Sequence, residues 1–260
     1  MTIMAAVAMV GRSAEVWTRL ESVIDPELDE SVTELGFVTR VEVDADDYVR
    51  IDFRLPTYWC AANFAFLMAD DMRIAVAALP WVRKVTVGLG EHMYADEINR
   101  GVAAGQSFQD SFGSEASGEL EEVRRTFMVK AFQRRQEALL TYLLDQGHES
   151  AALLRLTVVE LAALRCDAEG DRLVLRYLDR RAVVGSGANE LAFVDQDGAP
   201  LDAGQIHAYL RALRRVGVNA EFNSALCRGL LAARYGSGCT PEVEIKPVHF
   251  VRSIGAARSI

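Results

Sequence analysis

Hydrophobic positions alternate with polar ones in three short stretches of the first hundred residues, and this is the clearest local signal in the chain. In the run from Phe37 to Val43, Phe37, Thr39, Val41 and Val43 fall on one face. From Tyr48 to Leu55, Val49, Ile51, Phe53 and Leu55 alternate with Arg50, Asp52 and Arg54. From Val82 to Leu89, Val85, Val87 and Leu89 alternate with Lys84, Thr86 and Gly88. A period of two predicts strands with one covered and one wet face. The Asp-Ala-Asp-Asp between the first two is turn chemistry and predicts a hairpin. Before the third strand, Phe64, Leu67, Met68, Met72, Ala75 and Leu79 repeat at helical spacing and predict a helix over 61–78. Upstream, Ser13 could cap a helix carrying Val16, Trp17, Leu20 and Val23, which Pro26 ends; a helical turn over 30–35 would stop at Gly36.

Beyond residue 90 the pattern changes. Residues 91–118 are rich in Gly, Ser, Ala and acid and read as a loop or partly helical linker, with Phe108 and Phe112 spaced to dock it. From residue 119 helical periodicity takes over. It predicts a long helix to Gly147, a second over 149–164 and a third over 171–185. A break follows with Asp197-Gly198 as its turn, then two helices over 202–217 and 219–236, each ended by glycine. The expected fold is α+β: a small N-terminal α/β domain over 13–90 (helix-strand-strand-helix-strand, three-stranded mixed sheet), a linker over 91–118, a mostly helical domain over 119–240 with one hairpin, and an extended tail over 241–260.

Composition narrows the function. A formal charge of −9 over 260 residues lacks the basic footprint that nucleic-acid binding needs. Arginines at 124, 125, 134, 135, 176, 180, 181, 211, 214 and 215 read as solvated helix faces or ion pairs, with an arginine-lined protein-binding groove as the sharper alternative. No apolar run is long enough to span a bilayer, and no export signal is evident in the apolar opening, so the cytoplasm and reduced thiols are expected. There is no P-loop or GxGxxG for nucleotide work, and no Glu-x-x-His pair of the kind that builds a di-iron centre.

Candidate chemistry centres on Cys60. It falls where the second strand gives way to the 61–78 helix, and a helix N-terminus favours the thiolate, the form that attacks electrophiles or binds metal. Packing, nucleophile and metal ligand are all open to it, since cysteine is also among the most buried residue types. His92, just beyond the third strand, is a candidate second ligand by chemistry, although a lone histidine is more often a hydrogen-bonded residue. Of the other cysteines, Cys227 reads as a buried mid-helix residue, and Cys239 lacks partner spacing.

Taken together, Asp25-Pro26-Glu27, Leu35-Gly36, the hairpin, Thr57 three residues before Cys60, the helix and the run Leu79-Pro80-Trp81-Val82 resemble the metal–sulfur cluster assembly factor domain of PaaD-like proteins. The resemblance covers residues 15–90. It implies assembly or delivery of iron or an iron–sulfur cluster, held transiently, with Cys60 as the reactive residue and Asp25, Pro26, Glu27 and Thr57 as its motif companions. Trp59 and Ala61 stand where the family often has Gly and Pro around the cysteine. The helical runs 124–140 and 223–235 resemble accessory proteins of bacterial soluble di-iron monooxygenases, which implies a client hydroxylase and a chaperonin as partners. The expected function is therefore a metallocentre maturation factor and not an enzyme, without nucleic acid or membrane. A non-catalytic adaptor or chaperone and a Cys60-dependent enzyme are the alternatives. An exposed hairpin edge would permit a homodimer.

Overall fold

The computed structural model describes residues 3–113, 120–185 and 187–236, with side chains from Gly11 onward. Cys239, His249 and the tail expected over 241–260 lie outside the described residues. The fold is α+β, with a three-stranded mixed sheet in a small N-terminal unit and a mostly helical remainder.

Helix α1 spans Ile3–Leu20, so Ser13 lies inside a helix rather than at its start. Its buried Val16 and Leu20 face the core. A two-strand ladder follows, β1 (Ile24–Asp25) against β2 (Glu30–Ser31). One turn then closes at Gly36, whose φ of 72° suits glycine. Strands β3 (Val38–Val43) and β4 (Tyr48–Phe53) pair antiparallel around a turn in which the Asp44 carboxylate accepts the Asp46 and Tyr48 amides. The register shifts between Val38 and Arg40. This bulge buries Val38 and turns Thr39 to solvent, breaking the simple alternation expected for Thr39. Helix α2 (Ala62–Ala77) crosses over to β5 (Lys84–Leu89), which lies parallel to β4, giving the order β3-β4-β5. Val43, Val49, Ile51, Phe53, Val87 and Leu89 make the covered face, while Arg50, Lys84 and Thr86 face water.

Helix α2 is buried on more than one side. Phe66, Met68 and Met72 join the sheet core, and Phe64 meets Phe127 edge-on at 4.9 Å. The segment read as a linker carries helix α3 (Ala95–Ala103) and helix α4 (Phe108–Phe112). Ile98, Val102 and Phe108 sink into the same core, with Phe108 5.6 Å from Phe66.

The helical part begins with α5 (Leu120–Asp145). The apolar run after it divides into α6 (Ser150–Leu153) and α7 (Val158–Ala163), because Thr157 and Glu160 form a reciprocal capping box that starts a new helix. Helix α8 (Ala168–Arg181) is capped by Asp167. The segment 191–194 is held by buried polar groups. The Arg181 guanidinium, 2 % exposed, donates to the Ala192 and Leu191 carbonyls at 2.9 and 2.8 Å. Gln136 donates to the Val194 carbonyl at 3.0 Å. Phe132, Leu139, Leu143, Tyr177 and Phe193 fill the core around them.

The two helices expected over 202–236 are one. Helix α9 runs unbroken from Ile206 to Tyr235. Gly217 does not stop it, because its place is interior and its neighbours sustain the helical pattern on both sides. A Cβ at Gly217 would meet only Arg214 Nη1 at 3.7 Å and Arg134 Cγ at 3.9 Å, which is ordinary van der Waals contact. Gly217→Ala should therefore stabilise the protein by about 0.5–1 kcal/mol in chemical denaturation, the usual helix-interior difference.

The two parts meet through buried charge. Asp29, 5 % exposed with a φ of 55°, accepts two bonds from Arg135 at 2.6 and 2.7 Å and lies 3.3 Å from Arg180. Arg135 also donates to the Arg176 carbonyl and the Asp179 carboxylate. Arg124 grips Asp71 on α2 through two bonds. Asp29→Ala would remove the buried carboxylate shared by Arg135 and Arg180 and leave them only the exposed Asp179. The expected loss is about 3–5 kcal/mol in urea unfolding.

Candidate functional site

The Asp25-Pro26-Glu27 motif forms the connection between β1 and β2. The Asp25 carboxylate turns back on its own backbone, accepting the Glu27 amide at 2.9 Å and the Leu28 amide at 2.8 Å. The Asp29 amide closes onto the Asp25 carbonyl at 2.9 Å. This is an Asx-type turn, which short acidic side chains stabilise. Burial pushes the Asp25 carboxyl up to about 6, against the two amide bonds that favour the anion. Asp25 is thus a structural residue carrying a strained charge. The Glu27 side chain, at the tip, takes no part in these turn bonds and accepts from the Asn223 amide of α9 at 3.0 Å.

Cys60 lies beyond the end of β4, in the loop Arg54–Ala61. Buried Leu55 and Pro56 anchor the start of that loop. The Thr57 hydroxyl is 3.1 Å from the Cys60 sulfur, so the spacing of three in the motif brings hydroxyl and thiol together. Cys60 directly precedes Ala61, the residue that opens α2 without a side-chain cap. The thiol is half-buried, at the edge of the N-terminal core. Trp59 is 71 % exposed, with most of its ring in solvent, and Tyr58 and Met93 are exposed beside it.

His92 is brought to the same loop, but to its backbone. Its Nε2 is 2.8 Å from the Cys60 carbonyl oxygen, and its Nδ1 accepts the Tyr94 amide at 3.2 Å. A neutral ring protonated on Nε2 satisfies both bonds. Burial, opposed by the Cys60 carbonyl, lowers its pKa, with nearby Arg234 adding to the effect. Both ring nitrogens are engaged in this arrangement, so His92 braces the thiol loop rather than pointing a lone pair at the sulfur's neighbourhood. Among the described residues, no group of three or more His, Cys, Asp or Glu side chains is arranged to hold a metal ion.

The C-terminal end of α9 crosses this region. Ser224 donates to Glu30, and Arg228 binds both the Glu30 carboxylate and the Glu34 carbonyl. Arg234 reaches Glu91 at 2.9 Å, and Tyr235 lies under the Arg54 guanidinium at 4.1 Å. Between these contacts sits Cys227, half-buried against the same core as Cys60. Its thiol is pushed up to about 11, chiefly by burial and then by Asp25, Cys60, Glu27 and Glu30.

The family described as iron-sulfur cluster assembly protein matches residues 13–87. An uncharacterized protein of Methanocaldococcus jannaschii is 31% identical over 85 residues, which are 33% of this chain and 87% of that protein. The chain belongs to the iron–sulfur cluster assembly protein family. The Fe-S protein maturation auxiliary factor YitW of Bacillus subtilis is 35% identical over 68 residues, 26% of this chain and 65% of that protein. A crystal structure of a domain of unknown function from Bacillus anthracis aligns with 38% of this chain and 95% of its own, at 21% identity and a TM-score of 0.31.

The assembly domain of this chain thus places Thr57 against Cys60 and sets Asp25 as the stay of the acidic loop. What the sequence missed is the contribution of α9. Asn223, Ser224, Cys227 and Arg228 are far from the motif along the chain, and no spacing rule connects them to it. The only signal was their shared spacing of one helical turn.

Asp25 gives a test with a definite sign. Its folded-state pKa of about 6 lies above the ordinary 3.8, so the folded protein holds a proton that the unfolded chain releases. The associated stability is fully present below the ordinary value and is lost as pH rises through about 6. Asp25→Asn keeps the accepting oxygen and removes the charge. It should flatten this part of the stability profile and raise stability at neutral pH by up to about 3 kcal/mol, measured by denaturant unfolding across that range.

Proposed function

We propose that this protein is a metallocentre maturation factor of the PaaD-like kind. It takes iron or an iron–sulfur cluster transiently on Cys60 and passes it to a client metalloenzyme that the helical part recognises. The observation that carries the reading is the Thr57–Cys60 pair, a half-buried thiol beside a hydroxyl 3.1 Å away in the loop that opens α2. Such a thiol can hold soft or borderline metal as cargo and remain reachable by an acceptor. Membership of the iron–sulfur cluster assembly protein family supports the choice of cargo. The likeness of the 124–140 and 223–235 runs to monooxygenase accessories points to a soluble di-iron monooxygenase hydroxylase as the client, with a chaperonin as co-worker, in the cytoplasm. Among the described residues no helix is long and apolar enough to cross a membrane.

A specific observation also favours a second reading, a pure adaptor. Glu27 and Glu30, the acidic groups of the family loop, are occupied by α9, as they would be in a scaffold that performs no chemistry. A Cys60-dependent enzyme fits less well, since both ring nitrogens of His92 are engaged and it offers Cys60 no base.

Anaerobic purification followed by iron and sulfide analysis separates these readings. The native protein should carry iron, and Cys60→Ser should lose at least about tenfold of it, the lower range for disturbing a metal site, with its circular dichroism unchanged. Metal absent from both proteins, with hydroxylase maturation intact, would establish the adaptor instead.

A further inference from the structure

We propose that the cavity between α5 and α9 is a binding site for a small oxyanion, a carboxylate or phosphate group, held by Arg134, Lys130 and Arg215. These three cations lie outside the 13–87 match, and the binding needs no thiol.

Two helix faces make the cavity. Residues three or four apart share a helix face. Phe127, Lys130 and Arg134 fall on one face of α5, and Arg215, Asn219 and Asn223 on one face of α9. Together they line an opening of about 300 Å³. Glu27 is the acidic residue among its described lining, and its carboxylate already accepts the Asn223 amide.

The cations here differ from others on the same two helices. Arg124, Arg135, Arg214 and Arg228 each pair with a carboxylate. Among the described residues, Lys130, Arg134 and Arg215 form no ion pair. Lys130 lies over the Phe127 ring instead, at 4.5 Å. The Arg134 Nε is buried without a hydrogen-bond partner among the described residues, and its Nη2 makes one long bond, 3.5 Å, to the Glu27 carbonyl. Burial lowers the Arg134 pKa, opposed by the field of Asp29. Lys130 and Arg134, one turn apart, also repel each other. Arg134 borders a larger opening too, but there Asp29 and Glu30 are already held by Arg135 and Arg228. A desolvated guanidinium without an anion is costly, and an entering oxyanion relieves that cost.

The donor set suits such a ligand. A guanidinium presents parallel N–H donors that match two oxygens of a carboxylate or phosphate. Lys130 and Arg215, both exposed, add charge that attracts an anion. Asn219 supplies a neutral amide donor. The volume lies at the lower end for small-molecule sites and fits a compact ligand.

The test is isothermal titration calorimetry of the full chain with inorganic phosphate and, separately, citrate, with ionic strength matched by sodium chloride. The native protein should bind at least one of them, and the tighter names the class. Arg134→Met keeps the packed stem and should weaken binding at least about tenfold, as loss of a charge-assisted bond implies. Lys130→Gln and Arg215→Gln, at exposed positions where folding is not at stake, should each weaken it about twofold to fivefold. Arg211→Gln removes an equal charge from α9 outside the cavity and should leave binding unchanged. Cys60→Ser should bind like the native protein, so this site and the thiol reading fail separately. An equal loss in Arg211→Gln would show that overall charge alone is felt and would overturn the site. Native affinity in Arg134→Met and in the doubly substituted Lys130→Gln, Arg215→Gln protein would overturn it as well, as would a native protein that binds neither probe.

Discussion

The structure depends on one buried carboxylate. Asp29, held at positive φ at the end of the acidic loop, is gripped by Arg135 of α5 and approached by Arg180 of α8. Charges so little exposed are costly to bury and are tolerated only when paired and fully hydrogen-bonded. Arg135 meets that condition by also binding the Arg176 carbonyl and Asp179. The pairing fixes where the β1–β2 loop stands against the helical part. It thereby fixes what α9 can reach.

From that docking the site follows. The same loop presents Glu27 and Glu30 to Asn223, Ser224 and Arg228, so the last turns of α9 settle against the assembly domain. The long helix belongs to both hydrophobic cores, since Ile206 lies in the C-terminal one and Leu231 in the N-terminal one. A single rigid element of this length couples the thiol region to the helical part.

Much of the N-terminal fold was legible because it is local. Alternating Val49, Ile51 and Phe53, the Asp44 turn and the stripe of α2 each act within a few residues. The Thr57–Cys60 contact was legible for the same reason, being a spacing of three within one loop. Thr39 escaped the pattern because a bulge alters facing without altering composition. His92 was read as a candidate ligand beyond the third strand, yet which of its atoms would be used depends on the backbone of Tyr94 and Cys60 meeting across a fold that periodicity does not describe. Gly217 was taken as a stop because glycine is a common helix end, but interior packing and a continuous helical stretch override one weak residue.

By itself, the sequence determined the fold class, the three strands of the larger sheet and the motif, but not the short β1–β2 ladder, whose Glu30–Ser31 strand stands where a helical turn was expected, since hydrophobic period, turn chemistry and capping are properties of neighbours along the chain. Only the tertiary structure decided that the acidic loop is clasped by α5, α8 and α9, that His92 spends both nitrogens on backbone, and that Cys227 packs against the N-terminal core. The clasp joins residues roughly a hundred or more positions apart (Asp29 with Arg135, Glu30 with Arg228), and the His92 bond to Cys60 crosses from one loop to another. Burial and charge pairing select such contacts after the chain has collapsed, and no local pattern encodes them.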